Sequence, residues 1–272
     1  MKILLGRDDV NSDKPDSNGR TPLWGVAMTG REGVVKILLG RGNVNPDKPD
    51  NNGRTPLSIA ASLGREGVVE MLLGRDDVNP DRPDNQGRTP LWGAAWKGLE
   101  GVVEMLLGRD GVNPNKPDNQ GRTPLWLAVS EGRERVVKML LGRDDVSPDR
   151  PDNQGQAPLW LAASEGPEGV VEILLGQDEI NPDQPDNEGQ TPLHIAAFYG
   201  HEGVVKTLLG RDDVDSDKPD IVGRTPLRAA ASEGHDGVVD MLLGRDDVNP
   251  IGQAPTAGHH SGGLLGEDTR EW

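Results

Sequence analysis

The 272-residue chain has no cysteine, one tyrosine and one phenylalanine. Without cysteine there can be no disulfide framework, no thiolate zinc site and no cysteine nucleophile. An excess of basic residues is missing as well: 29 lysines and arginines stand against 45 aspartates and glutamates, a net charge of −16. Nucleic-acid surfaces need a basic stripe, and anionic lipid surfaces need clustered cations, so neither nucleic acid nor membrane is an expected partner. No apolar run approaches the roughly 18 residues of a membrane span. Residues 1–8 hold only three consecutive apolar side chains, fewer than a signal-peptide core requires. The expected location is the cytoplasm, with the nucleus as the other compartment.

What is present is glycine (37), proline (22) and a thin hydrophobic fraction of 33%. A chain this sparing with apolar residues must place them regularly in order to fold. It does. The proline of a Thr-Pro-Leu triplet stands at Pro22, Pro56, Pro90, Pro124, Pro158, Pro192 and Pro226, and only Ala157-Pro158-Leu159 varies the triplet. A fixed period between about 20 and 50 residues means stacked supersecondary units rather than one globular core.

Within a unit, Asp84-Asn85-Gln86-Gly87 reads as a turn. Thr89 followed by Pro90 reads as an N-cap with proline at the first helical position. Leu91, Ala94 and Ala95 form a short apolar face, and Gly98 falls where this first helix must end. Val102, Val103, Leu106 and Leu107 mark a second helix, with Gly108 expected to stop it. Helices of two to three turns are marginal alone, so their Val and Leu side chains become buried only when units stack.

The run Asp84-x-x-Gly87-x-Thr89-Pro90-Leu91-Trp92-x-Ala94-Ala95-x-x-Gly98, followed by Val102-Val103-x-x-Leu106-Leu107, strongly resembles the ankyrin repeat. The resemblance implies an all-α repeat solenoid, its helix–turn–helix units joined by turn or hairpin-like loops, here with a 34-residue period. The tetratricopeptide repeat shares that period but needs tyrosine and phenylalanine at fixed places, which this chain cannot supply. Prolines in the connections disfavour a hydrogen-bonded strand there. The expected organisation is a partial unit over residues 1–15, seven units over 16–253 and a degenerate tail over 254–272. In the first part Ile3, Leu4, Leu5 and Gly6 are in register with Ile37, Leu38, Leu39 and Gly40. The tail is expected to be disordered.

No nucleophile elbow, phosphate loop, dinucleotide fingerprint or zincin helix is present, so no enzyme, no cofactor and no catalytic residue are expected. Asp77-Val78-Asn79-Pro80-Asp81 imitates the opening of a calcium loop, but Arg82 and Arg88 stand where glycine and the closing glutamate belong. Solvated turn acids are the expected reading. The aspartates Asp16, Asp50, Asp84, Asp118, Asp152, Asp186 and Asp220 are expected to cap turns rather than to steer a ligand. His201 and His235 lack a third zinc ligand and read as exposed helix ends. His194 is at a place where ankyrin repeats carry a structural histidine. Trp24, Trp92, Trp126 and Trp160 read as large, half-buried rings packed between units.

Variation among units singles out one surface. The resemblance implies that the two residues before the glycine ending the first helix face a concave groove, together with the preceding turn. In this chain those pairs are Met28 and Thr29, Ser62 and Leu63, Trp96 and Lys97, Ser130 and Glu131, Ser164 and Glu165, Phe198 and Tyr199, and Ser232 and Glu233. Aromatic anchors dominate binding hot spots, which selects Trp96, Lys97, Phe198 and Tyr199, with Met28 and Leu63 as further contacts. Ile221 and Val222 occupy a turn tip that is polar in other units and join the same set. The expected function is a non-catalytic scaffold whose groove binds a protein partner. The alternative is a fragment of the recognition array of a larger fungal receptor-like protein, its upstream domains being further partners.

Overall fold

A computed structural model describes residues 11–244 of the chain. The register noted at Ile3–Gly6, the tail over 254–272 and the outer parts of the 1–15 and 16–253 segments therefore lie outside the described residues. Fourteen α-helices and no strand are found among the described residues, two helices to each 34-residue unit. The first helices are α1 (Pro22–Thr29), α3 (Pro56–Ser62), α5 (Pro90–Lys97), α7 (Pro124–Ser130), α9 (Pro158–Glu165), α11 (Pro192–Tyr199) and α13 (Pro226–Glu233). The second helices are α2 (Glu32–Leu39), α4 (Glu66–Leu73), α6 (Glu100–Leu107), α8 (Glu134–Leu141), α10 (Glu168–Leu175), α12 (Glu202–Leu209) and α14 (Asp236–Leu243).

Each unit begins with the turn that the Asp-x-x-Gly spacing predicts. In all seven turns the aspartate Oδ1 accepts the backbone N–H groups two and four residues on, as Asp84 does from Gln86 at 2.9 Å and Arg88 at 3.0 Å. Gly87 closes its turn at φ +81°, and a Cβ there would lie 2.8 Å from the Asn119 nitrogen of the next turn. The threonine hydroxyl then caps the first helix; Thr89 Oγ1 accepts the Trp92 N–H at 3.1 Å. Ala157 cannot do this, and α9 has no side-chain cap. Gly98 ends α5 at φ +72°, and its N–H returns to the Ala94 and Ala95 carbonyls. The second helices start without a side-chain cap, but each carries an acid at its first position, where the helix dipole favours negative charge.

Like helices stack on like: α1, α3, α5, α7, α9, α11 and α13 form one row, the second helices form another, and the two helices of a unit pack on each other. Leu91, Ala94, Ala95, Val102, Val103 and Leu106 lose all solvent contact in this arrangement. Leu107 and its counterparts in most units are only half-buried, so the second leucine is an edge rather than a core position. A polar ladder joins the turn tips. The amide Nδ2 of Asn51, Asn85, Asn119, Asn153 and Asn187 each donates to the carbonyl 34 residues back, at 3.1 or 3.2 Å. A backbone N–H from the same residue makes a second link, as from Asn85 to the Asn52 carbonyl at 3.0 Å.

Candidate functional site

Trp24, Trp92, Trp126 and Trp160 sit in one column, third residue of α1, α5, α7 and α9, and retain only 2 to 9% of their exposure. They are buried rather than half-buried, and the rings of Trp24 and Trp126 reach the turn of the following unit. Trp24 Nε1 donates to the Arg54 carbonyl at 3.1 Å and Trp126 Nε1 to the Gln156 carbonyl at 2.9 Å. The rings of Trp24, Trp92 and Trp126 also lie near guanidinium groups. Arg20 and Arg54 stand 4.7 and 5.5 Å from the Trp24 ring, and Arg88 and Arg122 stand 5.5 and 5.7 Å from the Trp92 ring. This column is structural, since its rings are packed away from solvent.

Trp96 is half-buried against the core and 5.7 Å from Trp92. Its Nε1 donates to Glu131 Oε1 of the next unit at 2.9 Å, and the Lys97 ammonium stands 3.9 Å over its ring. Phe198 and Tyr199 meet edge to face at 5.1 Å, with Phe198 packed on the core and Tyr199 about half exposed. Met28 and Leu63 are exposed in the first two units. Ile221 and Val222 are 73% and 68% exposed at the last turn tip. Ile221 also breaks the asparagine ladder, since it keeps the backbone link to Glu188 at 3.0 Å and has no side-chain amide.

Several acids and two of the histidines find partners of their own. Asp77 pairs with Arg75 at 2.7 Å, which holds its carboxyl below the usual range, and Asp81 pairs with Lys116 at 2.9 Å. Among the described residues no group of three His, Asp or Glu side chains is arranged to hold a metal ion. His201 and His235 are half-buried rather than exposed. Each donates Nε2–H to a carbonyl at the end of the preceding unit's first helix, Ser164 and Phe198 respectively, at 2.9 Å. His194 is 1% exposed, and burial pushes its pKa down, so the imidazole is neutral near pH 7.

A cavity of about 180 Å³ opens between the second and third units, lined by Arg54, Ser58, Ile59, Arg88, Gly93 and Trp96, among others. Sequence reasoning did not find it. Its signal is a pair of small residues: Ser58 where four other units carry tryptophan, and Gly93 where most carry isoleucine or leucine.

These features define a helical repeat stack whose variable side chains line one strip and whose constant side chains form the core. The family model for ankyrin repeats in three copies matches residues 1–84, 110–186 and 177–251, and the single ankyrin repeat model matches 86–119. The chain belongs to the ankyrin repeat family. Its fold is similar to a solved structure, the ankyrin repeat domain of Bcl-3, described as a unique member of the IkappaB protein family. The TM-score is 0.74 at 26% identity, covering 84% of this chain and all of that one. The comparison with curated proteins finds no match. Ankyrin repeats are in general protein–protein interaction modules and form a non-enzymatic scaffold. Among the described residues no helix is long and apolar enough to cross a membrane.

Proposed function

We propose that the stack is a non-catalytic scaffold that holds a protein partner against the strip formed by the ends of its first helices. The observation that supports this reading is where variation and exposed apolar area coincide. Met28, Leu63 and Tyr199 are exposed on that strip, with the half-buried rings of Trp96 and Phe198 beside them, while Val102, Val103 and their counterparts stay apolar in every unit. A large apolar side chain in water contributes nothing to folding and is the kind of group that anchors an interface. Trp96 and Phe198 stand three units apart, with Glu131 and Glu165 between them on the same strip. Ile221 and Val222 extend the surface onto a turn tip.

A paired capture from the source cell's lysate tests this. One bait is the native chain, and the other carries Trp96→Ala, Lys97→Ala, Phe198→Ala and Tyr199→Ala with matched helical circular dichroism. The expected outcome is a protein retained by the native bait alone. Identical retention by both folded baits would show that these side chains hold nothing.

A further inference from the structure

The cavity between the second and third units has a template inside the molecule. In the first unit, Trp24 lies between the guanidinium of its own turn, Arg20, and that of the next turn, Arg54, and donates its indole N–H to the Arg54 carbonyl. The Trp92 ring also lies between two guanidinium groups, Arg88 and Arg122, but its Nε1 makes no hydrogen bond. The second unit has the corresponding pair, Arg54 and Arg88, and both line the cavity, but the residue in the tryptophan column is Ser58. On the other wall Gly93 supplies no side chain where Ile59, Leu127, Leu161 and Ile195 fill the equivalent space in their units. The cavity is therefore the place of an absent ring. Trp92 and Trp96 form part of its wall.

Its size and charge select the occupant. At about 180 Å³ it is smaller than the roughly 300–1,000 Å³ typical of cofactor and drug sites, and suits a single side chain. Two arginines would ordinarily suggest an anion. Each guanidinium is already committed: two N–H groups of Arg54 bind Asp50 Oδ2 at 3.1 and 2.8 Å, and two of Arg88 bind Asp84 Oδ2 at 2.9 and 2.6 Å. Neutralised guanidinium groups still offer flat cationic faces, which attract an aromatic ring. We propose that this slot receives an aromatic side chain of the partner, an indole in particular, stacked between Arg54 and Arg88 with its N–H toward the Arg88 carbonyl. The inference rests on the scaffold reading above and adds to it the chemistry of one anchor.

The probe is 5-fluoroindole, followed by fluorine NMR line broadening on the full chain. Broadening should be saturable with the native protein, weaker with 5-fluoro-1-methylindole, and abolished by Ser58→Trp, which places an indole there covalently. Ser58→Trp should also raise the melting temperature. Gly93→Leu paired with Ser62→Gly, because a Cβ at Gly93 would stand 3.1 Å from Ser62 Cβ, narrows the slot from its opposite wall and serves as the second variant if Ser58→Trp does not fold; it too should abolish the broadening. Equal broadening of 5-fluoroindole by the native chain and by either folded variant would overturn the proposal. That result would leave the scaffold reading intact, whereas retention of a partner by a bait carrying only Lys97→Ala, Phe198→Ala and Tyr199→Ala, which spares the Trp96 wall of the slot, would remove the strip and leave the slot standing.

Discussion

On the connecting loops, a basic residue reaches back one unit to the residue 35 positions earlier. Lys48 binds Asp13 at 2.9 Å, Arg82 binds Asp47 at 3.0 Å and Lys116 binds Asp81 at 2.9 Å. Where the acid is replaced by Asn115, Arg150 takes its carbonyl at 3.2 Å. At Asp149 the reaching residue is Gln184, whose Oε1 is instead turned to the Asn181 amide at 3.2 Å. Burial raises the Asp149 pKa, opposed by the single N–H of Asn181. A raised native pKa means that the folded chain binds this proton more tightly than the unfolded chain does. Its contribution is most favourable below the ordinary carboxylate range and is lost as pH rises through the native value. Asp149→Asn should therefore stabilise the protein at pH 7, by less than about 1 kcal/mol because the side chain is only partly buried. Gln184→Lys should stabilise it through a new ion pair. Thermal melts at pH 7 and pH 3 check both, since either gain should fade as Asp149 becomes protonated. A gain of the same size at both pH values would show that the Asp149 charge is not the cause.

At the scale of the element, the two glycines that bracket each second helix have different physical reasons. Gly98 is left-handed, and a Cβ there would stand 2.8 Å from Arg133 Cδ. Gly108 has φ −78° and ψ −5°, ordinary right-handed values, and a Cβ there would meet nothing closer than the Glu104 carbonyl at 3.4 Å. Gly98→Ala should cost about 1–2 kcal/mol, and Gly108→Ala should be within about 0.5 kcal/mol of neutral or slightly stabilising. Urea unfolding of the two variants decides it, and equal losses would contradict the distinction. The sequence alone makes both look like stops, because the letter G does not reveal its dihedral angles. Much else at this scale was legible: threonine caps, proline starts and the turn aspartates all act within a few residues of themselves, and the 34-residue register is a repeat visible along the chain. The depth of the tryptophans, the bonds of His201 and His235 and the slot beside Gly93 were not, because each depends on a neighbouring unit. The slot left a trace only as two small residues facing each other, Ser58 in a column of large side chains and Gly93 in a column of mixed size. Trp96, Phe198 and Tyr199 lie in the last turns of their first helices, and the capture experiment tests what they bind.

For the whole molecule, contact runs from unit to unit along the two rows of helices, so stability is close to a sum of local and nearest-neighbour contributions. Leu125, in the middle unit, is 1% exposed. Leu125→Ala should cost about 2–5 kcal/mol, and the loss should be local. Hydrogen exchange is expected to quicken most in residues 124–141, less in the adjoining units, and least in α1 and α13. Uniform loss of protection along the chain would mean one cooperative block instead. The same series arrangement gives the edge of turn tips a mechanical character. From Asn51 to Asn187 each step along that edge is tied by a side-chain amide and a backbone N–H together, whereas the step to Ile221 is tied by the backbone alone. Tension along the stack loads these ties one after another, and a chain of springs stretches most at its softest. The edge is therefore expected to yield first between Glu188 and Ile221.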